Sequence, residues 1–366
     1  MNVCKSEPSL RRNDGKPGDN QKNLTPAASE ELMNVKYEGT QPLIMDPDPE
    51  KARTYFKQKS RALIPKVMTA REAVQRFVKK GDYLIVGAFG AVRIPTAVLH
   101  EIVRQRITGL KFGGHTATHD CQILSAGKCF DKCDVAYIVG LEARGLSRGS
   151  RRHMESGDVE MIQWTNAALA WRLKAASMGV PFLPARNMLG TDTLKYSGAK
   201  VIECPFTKRS LVALPALYPD VALIHVHEAD VYGNCRIRGI KVADEDLARA
   251  SKKVIVSCER LIETEKIRNE PNLTNIPYYC VDAVVEVSYG SYPGNMPEEY
   301  FSDEEHLGTW LQKENNPEEF EAFLKKHIYD TVDFQEYLEL CGGTKRMQEL
   351  RHKELLLETG EEPKNG

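Results

Sequence analysis

From Lys66 onward, short apolar runs bounded by Gly, Pro or Asp alternate with longer stretches of helical periodicity, and this alternation restricts the fold more than any other feature. The stretch MTAREAVQRFVKKGD puts Ala73, Val74, Phe77 and Val78 on one helical face, with Thr69 as N-cap and Glu72 completing a capping box. A helix there ends at Gly81. YLIVGAF then reads as a buried strand, and after AVRIP a second helix follows, TAVLHEIVRQRI. The pattern continues through GLKFGG, DVAYIVG, the helical TNAALAWRLKAASMG, VPFLPA, KVIEC, DVALIHVHEA, KKVIVSCE and VDAVVEVS. Strands separated by helical segments imply βαβ crossovers and a mostly parallel sheet with helices on both faces. The expected class is α/β.

The flanks differ from this core. Residues 1–60 are rich in Lys, Asp, Glu, Asn and Pro, with little apolar periodicity, and are expected to be a disordered extension. The α/β domain is expected over 61–342, its later part turning polar and helical after Tyr289, with a charged tail at 343–366. At 366 residues and 42% hydrophobic content the chain can bury a real core. Its formal net charge of -1 provides no global attraction to nucleic acid or anionic lipid, so neither is expected as a partner. Apolar runs fall short of the roughly 20 residues that span a bilayer, and the first residues lack the apolar segment of a signal peptide. A soluble, cytoplasmic protein is the expectation. The nine cysteines are scattered without a C-x-x-C pair, as suits reduced thiols.

Four motifs bear on chemistry. Gly87-Ala88-Phe89-Gly90 ends a predicted strand just before a helix, where α/β sheets place ligands, and glycines there let backbone N–H groups approach an anion. Neither a dinucleotide fingerprint nor a P-loop Lys is present, so a tight turn explains the glycines equally well. His115 and His119 are four apart beside Asp120, but no third ligand is set by spacing and a loop is expected there, so no metal is assigned. His225 and His227 share one face of a strand and read as hydrogen-bonded histidines near its end, while Cys121, Cys129 and Cys133 read as plain thiols. The segment GLEARGLSRGSRRH crowds Glu142, Arg144, Ser147, Arg148, Ser150, Arg151 and Arg152 directly after a predicted strand. Arginine's planar fork suits carboxylates and phosphates, so this loop either holds an anionic substrate or forms surface salt bridges.

Together these segments resemble family I coenzyme A transferases, on the branch of the glutaconate CoA-transferase alpha subunit. The resemblance spans about Lys66 to Gly342 and is carried, in order, by KVMTAREAV, GDYLIVGAFGAVRIP, SRRHMESGDVE, LKAASMGVPFLPARNMLGTD, DVALIHVHEADVYGNCRI, VIVSCERLIETEKI and IPYYCVDAVVEVSYGSYPG. It implies an enzyme whose glutamate attacks an acyl-CoA, passes through an acyl anhydride to a glutamyl-CoA thioester, and hands CoA to a second carboxylate. In two-subunit members that glutamate belongs to the beta chain. The implied partners are therefore a beta subunit, an acyl-CoA and a small carboxylic acid, with coenzyme A as a thioester substrate and no tightly bound cofactor. The nearest glutamate of this chain is Glu142, but it has Arg144 where a small residue is expected and follows a different strand.

The resemblance further implies that the alpha chain forms one wall of an interfacial active site. Gly87, Ala88, Phe89 and Gly90 would lie near the reacting thioester, and Arg144, Gly145 and Ser147 near the acyl group. The family strand often ends Gly-Gly-Phe and runs on to Gly-x-Pro, whereas this chain has Gly87-Ala88-Phe89 and Arg93-Ile94-Pro95, the latter also resembling the glutaconate branch. Arg144-Gly145 stands where the glutaconate enzyme has a Ser-Gly pair, which favours a different acyl group, one ending in a carboxylate or otherwise polar. Two other readings stay open. Ring-opening hydrolases of this fold carry a glutamate after the SGDVE segment, where this chain has Thr165-Asn166. A non-catalytic acyl-CoA-binding chain is the third.

Overall fold

The computed structural model describes residues 35–138 and 144–355. Seven strands run parallel: β2 (Tyr83–Gly87), β3 (Leu110–Gly114), β4 (Phe130–Val135), β5 (Glu160–Gln163), β9 (Val221–Ala229), β11 (Lys253–Leu261) and β12 (Ala283–Glu286), arranged in the order β12-β11-β9-β2-β3-β4-β5. The two-residue β10 (Cys235–Arg236) pairs antiparallel with the end of β9. The chain builds β2 to β5 outward in one direction, then returns to lay β9 against the other side of β2. The strand order thus reverses at β2, and the crevice outside the carboxyl ends at such a reversal is where open α/β sheets bind ligands.

Both faces of β2 are buried, as its unbroken apolar run requires. Tyr83 and Ile85 pack on the side of α6 (Asn166–Met178) and α8 (Asp244–Ala250); Leu84 and Val86 pack on the side of α2 (Ala70–Phe77), α3 (Thr96–Arg104) and α4 (His119–Ala126). The capping box expected at Thr69 is present, with the Glu72 N–H donating to Thr69 Oγ1 at 3.2 Å and the Thr69 N–H to Glu72 Oε2 at 2.8 Å. The short helices α5 (Arg148–Met154), α7 (Asp192–Lys195) and α9 (Thr264–Asn269) lie in connections.

Several expectations need correcting. VPFLPA and KVIEC do not join the parallel sheet. They form β6 (Phe182–Ala185) and β7 (Lys200–Glu203) of a separate antiparallel sheet, completed by β1 (Val35–Glu38) and β8 (Ser210–Pro215) and ordered β1-β7-β8-β6. DVAYIVG is not a strand throughout, because β4 begins earlier, at Phe130, and ends at Val135. Of the extension expected to be disordered over 1–60, residues 1–34 lie outside the described residues, and the rest contains β1 and α1 (Pro49–Gln58): Asp48 caps this helix through the Glu50 N–H at 2.8 Å, Pro49 suits its first turn, and Phe56 packs on Tyr218.

At the other end, α10 (Glu304–Lys313), α11 (Pro317–Leu324) with a π-helical continuation at Lys325–Tyr329, and α12 (Phe334–Leu340) pack over α3 and α4. The segment read as a charged tail begins with α13 (Gly343–Leu355), which buries Met347 and Leu350 beside Tyr292, Tyr300 and Tyr337. Among the described residues no helix is long and apolar enough to cross a membrane.

Candidate active site at the strand reversal

Gly87 closes β2, and a Cβ there would stand 3.0 Å from both Asp244 Oδ1 and Ile224 Cγ1, so the strand end accepts no larger residue without displacement. The next residues turn back sharply, with Phe89 and Val92 exchanging backbone hydrogen bonds of 3.3 and 3.1 Å and Gly90 at φ +62°. Gly90 is clamped from the loop after β3: its N–H donates to Thr116 O at 3.0 Å, and Thr118 Oγ1 donates to its carbonyl at 2.8 Å. Thr116 is itself at φ +51°, an unusual conformation for a β-branched residue, and its buried hydroxyl has no partner among the described residues.

Two further contacts hold this turn. Arg93 is fully buried, at φ +58°, and donates to Asp244 through Nη1 at 2.8 Å and Nη2 at 3.0 Å, with Nη2 also on Ile240 O at 2.8 Å. On the opposite side, Asn295 N–H donates to Ala91 O at 2.8 Å, and the Asn295 carbonyl accepts the Arg93 N–H at 2.9 Å.

The loop before α5 meets the same end of the sheet. Arg144 donates side-on to Glu304, Nε to Oε2 and Nη2 to Oε1, each at 2.5 Å. Gly145 follows at φ +91°. Ser147 caps α5 through the Ser150 N–H at 3.0 Å and donates to Glu314 at 2.9 Å. Glu314 also accepts the Gly149 N–H at 3.0 Å and Trp310 Nε1–H at 2.8 Å, and its burial pushes its pKa up. The Arg144 loop is therefore bound to α10 at both of that helix's ends. Arg151 pairs with Glu155 at 2.9 Å on the helix surface, and Glu142 lies outside the described residues.

Comparison with known proteins agrees with this architecture. The sequence model of the Coenzyme A transferase family matches residues 67–287. The chain belongs to the coenzyme A transferase family. It is 34% identical to the A-type subunit of glutaconate CoA-transferase from Acidaminococcus fermentans, over 76% of this chain and 93% of that protein. The crystal structure of the Acidaminococcus fermentans glutaconate coenzyme A-transferase superposes with a TM-score of 0.74 at 33% identity, covering 78% of this chain and 95% of that one. The A-type subunit of 3-oxoadipate CoA-transferase from Pseudomonas knackmussii is 32% identical, covering 74% of this chain and 96% of that protein. A cholesterol ring-cleaving hydrolase IpdA subunit of Rhodococcus jostii is 26% identical, over 70% of this chain and 90% of its own length.

In this coenzyme A transferase chain the two histidines that follow β3 are separated in role. His115 is buried in the loop, and His119 starts α4 rather than lying in a loop as expected. Its Nδ1 lies 2.8 Å from Gln122 Oε1, its Nε2 has no partner among the described residues, and its ring packs edge-on to Trp310 at 4.7 Å. Burial lowers its pKa to about 4, with the nearby Arg144 charge acting in the same direction. Asp120 beside it accepts the Thr118 N–H at 2.6 Å and is pushed up to about 6 by burial. Among the described residues no group of three or more metal-ligating side chains is assembled.

His225 and His227 are both buried on β9. His225 bridges Ser257 Oγ at 2.8 Å and Glu259 Oε1 at 2.7 Å, and His227 Nε2 lies 2.8 Å from Pro297 O. Burial takes Cys121 and Cys129 up to about 12, consistent with unreactive core thiols. Sequence reasoning missed Asp244, Thr116, Thr118 and Glu304. The departure at Arg93 was the one available signal, since a cation inside so apolar a stretch needs a buried partner.

Proposed function

We propose that this coenzyme A transferase chain is the alpha subunit of a heteromeric enzyme that moves CoA between an acyl-CoA and a carboxylic acid, with the nucleophilic glutamate on a partner beta subunit. The observation that carries this reading is the state of four carboxylates around this end of the sheet, each of which, among the described residues, already accepts bonds from its own chain. Asp244 takes Arg93, Asp120 the Thr118 N–H and Glu304 Arg144, while Glu259 takes His225, Tyr300 O–H at 2.6 Å and Tyr289 N–H at 2.6 Å. A nucleophile from outside complements such a wall, and the relatives named as A-type subunits support a two-chain enzyme.

In the exchange, the partner's carboxylate attacks the acyl-CoA carbonyl and expels CoA thiolate, leaving a mixed anhydride. The thiolate then attacks the glutamyl carbonyl, releasing the acyl carboxylate and leaving a glutamyl thioester, and a second carboxylate reverses these steps. Gly87–Gly90 would border the thioester and Arg144-Gly145 the acyl group. Ser147, engaged in the α5 cap and with Glu314, would set the loop's position.

Native mass spectrometry of the complex from its own cells tests this, followed by borohydride after incubation with acyl-CoA. Expected are a stoichiometric partner and loss of activity from reduction of a thioester on one of its glutamates. A homo-oligomer without partner overturns the reading and makes Glu142 the first residue to mutate. The likeness to the IpdA subunit supports ring-opening hydrolysis as a second reading. Asn166, at the first turn of α6, offers no carboxylate for that chemistry, and an assay giving ring-opened product without transfer of CoA to an acceptor would favour it.

A further inference from the structure

We propose that Glu304 is a specificity-determining residue: it occupies the carboxylate-binding edge of Arg144, so an acyl group ending in a carboxylate reaches that arginine only by displacing it. The proposal rests on the reading of Arg144 as an acyl-group contact and adds an internal competitor to it. Both Glu304 oxygens sit 2.5 Å from Arg144 Nε and Nη2, the side-on bidentate arrangement a guanidinium offers any carboxylate. One carboxylate can therefore replace the other without new geometry.

The surroundings permit such an exchange. The pair is partly solvated, with side chains 18% and 43% exposed, so both groups keep access to water when they separate. Gly145 at φ +91° separates Arg144 from Ser147, and beyond that point Glu314 fixes the chain through Ser147 and Gly149. The arginine can change partner while α5 stays in place. Glu304 has a second holder, Ser302 Oγ at 2.5 Å, which keeps it at α10 when Arg144 leaves.

The test uses the complex purified with its partner chain and compares kcat/KM for glutaryl-CoA with that for butyryl-CoA. Glu304→Gln is expected to raise this ratio about tenfold through KM, and to tighten glutarate binding in calorimetry by a similar factor. Arg144→Met should lower the ratio, and the double variant should match Arg144→Met alone. A ratio and glutarate affinity unchanged in Glu304→Gln, with Arg144→Met still lowering the ratio, would overturn the competitor role and leave the arginine reading standing. An unchanged ratio in Arg144→Met would overturn both. Should the Gln variant fail to fold, Glu304→Asp, which keeps the charge and shortens the reach, is expected to give an intermediate rise, and no rise overturns the proposal.

Discussion

The loop after β2 and the loop before α5 both lie at the carboxyl ends of the sheet, and each is tied down by an arginine–carboxylate pair, yet the two pairs differ in kind. Arg93–Asp244 is sealed, with side chains 0% and 3% exposed, whereas Arg144–Glu304 is partly solvated, chiefly on the glutamate side. A buried pair is costly to break because each charge then stands alone in a poor solvent, while an exposed pair exchanges water and partners at little cost. The first loop is thus built as a fixed wall, and the second as an adjustable one anchored a few residues further on by Glu314.

The largest expected effect breaks the sealed pair. Asp244→Ala should lower stability by about 3–5 kcal/mol, measured by denaturant unfolding, because it leaves Arg93 buried and uncompensated. A loss below about 1 kcal/mol would remove the distinction between the loops. Acid should next act on α10, which braces the adjustable loop through Trp310 and both glutamates. His119 and His306 are lowered to about 4 and about 3, each first by burial, and burial also takes His100 well below the ordinary histidine range. Histidines neutral when folded take up protons on unfolding below about 6.5, so stability is full above that pH and falls from about 6.5 towards 4. Asp120, raised to about 6, and Glu314, also raised by burial, oppose this, while the lowered histidines outnumber them. Hydrogen exchange in α10 and α4 should accelerate across that window, and flat exchange would refute the argument.

Smaller effects sharpen the contrast. Gly87→Ala brings a methyl to 3.0 Å from Asp244 Oδ1 and Ile224, and should cost about 1–3 kcal/mol while also lowering turnover, because the fixed wall has to shift. Unchanged stability and turnover would show that wall to be compliant. Arg144→Met should change unfolding stability by no more than about 1 kcal/mol. A loss of the size expected for Asp244→Ala would make the second pair structural as well.

The legible parts of the site were those whose residues are close in sequence. The capping box Thr69-x-x-Glu72 and the turn with Gly87 and Gly90 follow from local rules. The carboxylates that tie down the loops were not legible, because Asp244 lies 151 residues from Arg93 and Glu304 lies 160 from Arg144. Nothing in an Asp or Glu on a polar stretch shows which cation it will meet.

Sheet membership divides in the same way. The apolar runs and turn residues of this chain determined that it would form strands alternating with helices, because backbone groups and apolar side chains have few ways to be satisfied at once. They do not separate β6 and β7 from the parallel strands, since a short apolar run carries no record of its neighbour. Only the tertiary structure decided that these two strands pair antiparallel, that the strand order reverses at β2, and that a helix from the far end of the chain supplies the carboxylate facing Arg144. The physical reason is common to all three: pairing between distant segments is settled by where the whole core can close.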